Sequence, residues 1–151
     1  MELSYAYTQI CVSDMERSII FYRDVLGLEM MGDAEVDDSS VRKPYLEQLL
    51  GLSDIHCRMA HFRTREWEER QNLELIQWYS PKPKAFPKEQ RPCDTGVHWF
   101  GFRTEKVEED YQKLVDQGVR FISPPLERAD RAGFKVCFFY DPDGNILILH
   151  S

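Results

Sequence analysis

The sequence contains one strand-and-helix pattern twice, and this repeat constrains the fold more than any other feature. The first copy begins with a strand at Tyr7, continues through an acidic cap into an amphipathic helix, and stops at Gly27. The second copy begins at His98 and stops at Gly118. The two strand starts are 91 residues apart, and so are the two glycines. A duplicated unit predicts two similar sheets, and the space between such sheets is a natural small-molecule site.

Residue alternation and turn signals predict four strands in each copy. In the first copy they cover Tyr5–Val12, Leu28–Met31, Ile55–Arg63 and Asn72–Trp78, with a turn over Arg65–Arg70, helices over Met15–Leu26 and Tyr45–Leu50, and an acidic loop over Asp33–Ser40. In the second copy they cover Gly96–Arg103, Val119–Ile122, Phe134–Tyr140 and Ile146–His150, with a helix over Lys106–Gln117. We therefore predict an α+β protein, a single domain over 1–151 in which two βαβββ modules, 4–79 and 96–151, are joined by a proline-rich linker, 80–95. Their sheets are expected to curve around a central cleft.

Charge and cysteine usage narrow the class of protein. The net charge is −7, which argues against nucleic acid and anionic membranes as partners. No apolar stretch is long enough to span a bilayer, and the first residues do not resemble a signal peptide. The four cysteines are widely spaced and are expected to be reduced thiols. A cytoplasmic location is the expectation.

Five segments together make the chain similar to a known superfamily. They are VSDMERSIIFYRDVLGLEM, NLELIQW, GVHWFGF, GVRFISPP and FYDPDGNILIL. In this order they resemble the vicinal oxygen chelate superfamily, which includes glyoxalase I, methylmalonyl-CoA epimerase, extradiol dioxygenases, and fosfomycin and bleomycin resistance proteins. The resemblance covers nearly the whole chain. It implies the paired βαβββ fold, a small-molecule ligand or substrate and a homodimer.

The resemblance also implies a metal site with four ligand positions. Metal-dependent members hold one divalent ion (Zn, Mn, Ni, Mg or Fe) on the first and fourth strands of each module. Those positions fall on Tyr7, Glu74, His98 and Ile148. Glu74 and His98 fit the pattern, whereas neutral tyrosine is a poor donor and isoleucine cannot ligate. The family's metal site is therefore incomplete in this sequence.

Two other arrangements stay open. Gln9 shares a strand face with Tyr7, and His150 shares one with Ile148, so Gln9, Glu74, His98 and His150 would restore four donors. Without a metal, Glu74 and His98 would form a catalytic acid–base pair, with Tyr7 adding a hydroxyl.

Apolar and aromatic residues are expected around these groups. By alternation the predicted concave faces carry Tyr7, Gln9, Ile76, Trp78, Phe100, Phe102, Ile146 and Ile148, which would bind substrate or simply form core. His56 and His61 lie in the first unit and are expected to be surface or packing residues.

Two classes of function follow. The first is a glyoxalase-like enzyme of lyase or isomerase type acting on a small oxygenated organic molecule; the retained Glu74 and His98 favour it. The second is a metal-free binding or resistance protein of the bleomycin-resistance type; Tyr7 and Ile148 favour it. An extradiol dioxygenase fits less well. The resemblance places its three iron ligands at Tyr7, His98 and Ile148, and only His98 is a suitable ligand.

Overall fold

The computed structural model describes residues 7–64, 73–84 and 99–151, with Trp99 described in its backbone alone. Chain contacts divide the molecule into two compact units, Met1–Phe86 and Pro87–Ser151. The boundary between the units falls inside the predicted linker, 80–95.

The first unit is a four-stranded mixed sheet with two helices. Along the chain lie β1 (Thr8–Cys11), α1 (Met15–Ile19, continued as a π-helical segment over Ile20–Val25), β2 (Glu29–Val36), α2 (Lys43–Leu50), β3 (His56–Arg63) and β4 (Leu73–Ser80). The strand order is β1-β4-β3-β2. Only the β1–β4 pair is parallel, because the chain crosses over through α1 and returns by two antiparallel pairs.

The second unit repeats this topology with one helix. It contains β5 (Trp99–Arg103), α3 (Val107–Asp116), β6 (Leu126–Glu127), β7 (Lys135–Tyr140) and β8 (Ile146–His150), in the order β5-β8-β7-β6. The second strand of this unit is shorter and begins later than the predicted Val119–Ile122. Phe121 makes a single bridge to Phe139, and regular pairing begins only at Leu126, after Pro124 and Pro125, which lack the N–H that a ladder requires. The α+β class and the two βαβββ modules are confirmed.

Helix α1 covers one face of the first sheet. Asp14 caps it by accepting a hydrogen bond from the Arg17 N–H at 3.0 Å, as its position in the sequence suggests. Tyr22 is fully buried and its ring lies 6.3 Å from that of Phe62 on β3. Other buried residues on the helix-covered side are Met15, Ile19, Ile10, Leu73 and Leu75. The opposite face of the sheet is therefore the one on which a ligand site can lie.

Equivalent positions in the two units are not all 91 residues apart. The π-helical segment accounts for the one-residue difference in spacing. Gly27 and Gly118 both adopt positive φ and end their helices as predicted. The helices themselves begin at Met15 and Val107, which are 92 residues apart. The first helical segment is therefore one residue longer, and the i→i+5 hydrogen bond from Leu26 N–H to Phe21 O, 2.9 Å, accommodates that residue.

The first half of the predicted acidic loop, residues 33–36, belongs to strand β2, whereas residues 37–40 lie outside the strand as predicted. Strand β2 continues to Val36, and its carboxylates are paired across the sheet. Asp33 accepts two hydrogen bonds from Arg58, and Glu35 lies 2.5 Å from His56. These cross-strand pairs offset the low strand propensity of acidic residues. Among the described residues, no helix is long and apolar enough to cross a membrane.

Candidate functional site

Glu74 lies at the centre of a polar cluster on the uncovered face of the first sheet. It lies in the middle of three strands, directly opposite Gln9 on β1 and His61 on β3. The Gln9 side-chain amide donates to Glu74 Oε1. His61 Nδ1 lies 2.9 Å from Glu74 Oε2. The pairing register of three strands thus brings together a carboxylate, an imidazole and an amide.

Glu74 and His61 are secluded from solvent, whereas Gln9 on the edge strand β1 is exposed. Glu74 is 4% exposed, as expected for an inward-facing carboxylate, and the His61 side chain is 17% exposed. His61 Nδ1 is buried and forms no well-aligned hydrogen bond within the described residues, so its contact with Glu74 is mainly electrostatic. A buried carboxylate needs such partners, since an unpaired buried charge is costly.

The partners of Glu74 keep it ionised. Burial alone would raise the pKa of this carboxyl. The contacts from His61 and Gln9, with a more distant attraction from Arg42, outweigh burial and hold the Glu74 pKa below its ordinary value. Glu74 therefore carries its negative charge at neutral pH, which suits it to orient and stabilise a cation rather than to accept a proton.

Sequence reasoning assigned His61 to surface or packing and did not predict its contact with the buried Glu74. A usable signal was present, because the predicted turn over Arg65–Arg70 is centred midway between residues 61 and 74. An antiparallel hairpin with that turn places His61 opposite Glu74. Alternation along one strand identifies a face but not the residue across it, which is why His61 was missed.

The same sheet face becomes apolar beyond the cluster. Ile76 pairs with Met59 and Cys11, and Trp78 pairs with Cys57. Helix α2 packs on this part of the face, giving an apolar cluster of Val36, Leu46, Ile55, Cys57, Met59 and Ile76, with Trp78 against it. The predicted substrate-binding residues Ile76 and Trp78 thus lie between the polar cluster and α2, and Ile76 is buried there.

In the second unit the equivalent positions are apolar. Ile148 pairs with Gly101 and Phe138, just as Glu74 pairs with Gln9 and His61. His150 lies on the same face: a Cβ added to Gly101 would lie 3.5 Å from its ring, and His150 Nδ1 is 2.9 Å from Ser151 O. Among the described residues, the three paired positions therefore form a polar cluster in the first unit and an apolar one in the second.

Phe100 and Phe102 occupy the other face of the second sheet from the one predicted. They pair with the buried Leu147 and Leu149, whereas Ile146 and Ile148 share a face with Gly101. The expectation that both phenylalanines share a face with Ile146 and Ile148 is wrong, because the sequence repeat placed this strand one residue out of register.

The remaining candidates are Tyr7 and His98. Tyr7 lies just before β1 and is 50% exposed. His98 lies outside the described residues, so its predicted roles as metal ligand and as partner of Glu74 stay predictions.

Comparison with known proteins identifies the family. The profile of the glyoxalase/bleomycin resistance protein/dioxygenase superfamily matches residues 4–149. The chain belongs to this superfamily. No functionally curated protein matches the chain.

Solved structures of superfamily members share the fold at low sequence identity. A glyoxalase family protein from Bacillus cereus is 18% identical with a TM-score of 0.83, covering 99% of this chain and 94% of its own. A glyoxalase family protein from Enterococcus faecalis is 24% identical with a TM-score of 0.65, and the match covers 98% of this chain and 97% of that protein. The trypanothione-dependent glyoxalase I of Leishmania major is 21% identical with a TM-score of 0.62, and the match covers 98% of this chain and 86% of that protein. At these identities the likeness establishes the fold and not the reaction.

The described residues at the superfamily's metal positions do not fit a metal ion. Of Tyr7, Glu74 and Ile148, only Glu74 brings a strong donor, and its oxygens already contact Gln9 and His61. Within the described ranges, no three histidine, cysteine, aspartate or glutamate side chains are grouped closely enough to hold a metal.

The lowered pKa of Glu74 predicts an acid-sensitive contribution to stability. The folded state binds the Glu74 proton less tightly than the unfolded chain, whose carboxyl has an ordinary pKa of 4.5. This contribution is complete above that pKa and is lost as the pH falls through the lower folded pKa. In urea unfolding, the free energy of unfolding of wild type should exceed that of Glu74→Gln, and the difference should be larger at pH ~7 than at pH ~3. The exposed Glu105→Gln serves as control, and an equal difference at both pH values would refute the expectation.

Proposed function

We propose that the protein is an enzyme of isomerase or lyase type that moves a proton on a small oxygenated organic molecule, with His61 as the proton-transferring group. The observation that carries this proposal is the 2.9 Å contact between His61 Nδ1 and the buried Glu74 carboxylate. Histidine is the side chain most often used for proton transfer near neutral pH. A fixed carboxylate behind it orients the ring and stabilises the imidazolium.

The proposed step uses the two ring nitrogens differently. Glu74 stabilises the Nδ1 side of the ring, and within the described residues no hydrogen bond engages Nε2. Nε2 removes the proton from a carbon beside a carbonyl group, and the electron pair of that C–H bond moves toward the carbonyl oxygen as an enolate forms. Where that carbon carries a hydroxyl group, the hydroxyl proton passes to the enolate oxygen, and the imidazolium beside ionised Glu74 returns its proton to the former carbonyl carbon, so that the carbonyl and hydroxyl groups exchange places. The net reaction is an isomerisation and consumes no co-reactant.

The apolar cluster under α2 favours the second class of function. Trp78 is only partly buried against this cluster, and its indole would suit the hydrocarbon part of an amphipathic ligand. A binding protein would use this indole and the polar cluster for recognition alone. The two candidates differ in whether a bound compound exchanges a carbon-bound proton.

Exchange with heavy water separates the two candidates. Protein treated with a chelator is incubated in heavy water with α-hydroxy and α-keto carbonyl compounds, and deuterium at the carbon next to the carbonyl is followed by NMR. Exchange above the protein-free rate supports the enzyme. Binding by calorimetry without exchange supports the binding protein. Exchange that appears only after Zn, Mn, Ni, Mg or Fe is added would overturn a reaction carried by His61 alone.

A further inference from the structure

We propose that Arg42 binds a carboxylate group of the ligand and so restricts the site to anionic small molecules. The inference rests on the proposed function and deepens it, because it names the class of substrate. It uses a residue outside the polar cluster described above.

Arg42 reaches the ligand face from the start of α2. It directly precedes Lys43, the first residue of that helix, and its Nη2 lies 3.9 Å from the Met59 sulfur. Met59 lies on β3 two residues before His61, and both side chains belong to the same face of the sheet. Positions two apart on a strand are about 6–7 Å apart. The Arg42 guanidinium therefore lies over the same face as the His61 imidazole, at a position two residues away along β3.

The charge of Arg42 acts on this face of the sheet. Its attraction helps to lower the pKa of Glu74, and it opposes the effect of burial on the Cys57 thiol pKa. A second anion near Glu74 would otherwise be repelled. The positive charge of Arg42 offsets that repulsion, while Gln9 and His61 already engage the Glu74 oxygens.

The guanidinium of Arg42 has unused donors. The adjacent cation Lys43, by contrast, is paired with Asp38 at 2.6 Å. Among the described residues, no carboxylate lies within ion-pair distance of Arg42, whose side chain contacts only a thioether, a weak acceptor. A planar guanidinium matches a carboxylate with two parallel hydrogen bonds.

These positions define the ligand. One end carries a carboxylate for Arg42, and the other carries the carbon and oxygen on which His61 acts. A chain of about three to six carbons spans the separation of Met59 and His61 along the strand. The structure thus points to short acids whose carbonyl group lies several carbons from the carboxylate, rather than to neutral aldehydes, ketones or esters.

Matched acids and methyl esters test the inference. Keto acids whose carbonyl lies about three to six carbons from the carboxylate, with and without a hydroxyl group beside the carbonyl, and their methyl esters are titrated into wild type, Arg42→Gln, Arg42→Lys and Arg23→Gln by calorimetry and followed in the exchange assay. Arg23 is an exposed control on α1 that pairs with its neighbour Asp24 at 2.7 Å. We expect wild type to bind acids at least about tenfold more tightly than esters, as one lost charge-assisted contact implies. Arg42→Gln should lose this preference, Arg42→Lys should keep part of it, and Arg23→Gln should match wild type.

The possible failures are distinguishable. If acids and esters bind and exchange equally in wild type, or if Arg42→Gln retains the preference, the role of Arg42 is refuted while the proposed function stands. If neither acids nor esters bind or exchange, both proposals fall. Arg42 is exposed, so Arg42→Gln should unfold at the same urea concentration as wild type, which excludes misfolding as the cause of a lost preference.

Discussion

Replacing His61 with asparagine is expected to lower the rate of proton exchange by about 10²–10⁴-fold, the usual contribution of a positioned acid–base group. Asparagine keeps a polar side chain of similar reach beside Glu74 but cannot carry a proton at neutral pH. The change should affect the rate far more than binding, because the ligand's carboxylate is assigned to Arg42. The measurement is the exchange rate at saturating ligand, compared with the dissociation constant from calorimetry.

Glu74→Gln tests whether the carboxylate works through His61. The amide preserves the size of the side chain but removes the charge that stabilises the imidazolium. We expect a loss of about 10²-fold or more, and the double variant with His61→Asn should be no slower than His61→Asn alone, since residues acting as one unit are strongly non-additive. Additive losses would show that Glu74 acts independently of His61.

His56 is a control from the same strand. It also contacts a glutamate, with Nε2 2.5 Å from Glu35 Oε1, but its side chain is 41% exposed and its ring lies against Tyr79 rather than Glu74. His56→Asn should leave exchange unchanged. An equal loss in both histidine variants would mean that the assay reports a general effect of altering β3. Full activity in His61→Asn would refute His61 as the acid–base group.

Local sequence signals were sufficient to predict the elements of the fold. Asp14 at the helix start and glycines 27, 51 and 118 at helix ends act through backbone geometry that each residue determines by itself. The four-strand pattern of each unit followed from alternation in the same way. The acidic part of β2 was missed because its strand is stabilised by Arg58 and His56, partners that are distant in the sequence.

The site was harder to predict because it depends on register between strands. The sequence correctly placed Glu74 on an inward face, but it gave no partner within the first unit. The one-residue difference between the repeats arises in the π-helical segment Ile20–Val25, which has no distinct composition. That difference decides which face Phe100 and Phe102 occupy. A slip of one residue exchanges the two faces of a strand, so pairwise contacts are needed to fix a site.

The second large effect is expected at Phe62, one residue from His61 on the opposite face of β3. Phe62 is 0% exposed and packs against Tyr22 of α1. Phe62→Ala should lower the free energy of unfolding by about 3–5 kcal/mol, since a buried ring is removed and a cavity is left. For a domain of this size, about 1 kcal/mol corresponds to roughly 2–4 °C in Tm. Urea and thermal unfolding measure the loss.

Comparison with His61→Asn separates the two faces of β3. The conservative Phe62→Leu should lose less stability than Phe62→Ala and, while folded, should retain proton exchange, because its side chain lies on the helix side of the sheet. Ile20→Ala, a 53% exposed position in the π-helical segment, should change stability by no more than about 0.5 kcal/mol. His61→Asn should lose far more exchange than Phe62→Leu, while losing less stability than Phe62→Ala because asparagine still offers Glu74 a hydrogen-bond donor. If folded Phe62→Leu loses exchange as completely as His61→Asn, then residues on both faces of β3 are needed for proton exchange. The assignment of the site to one face of β3 would be wrong.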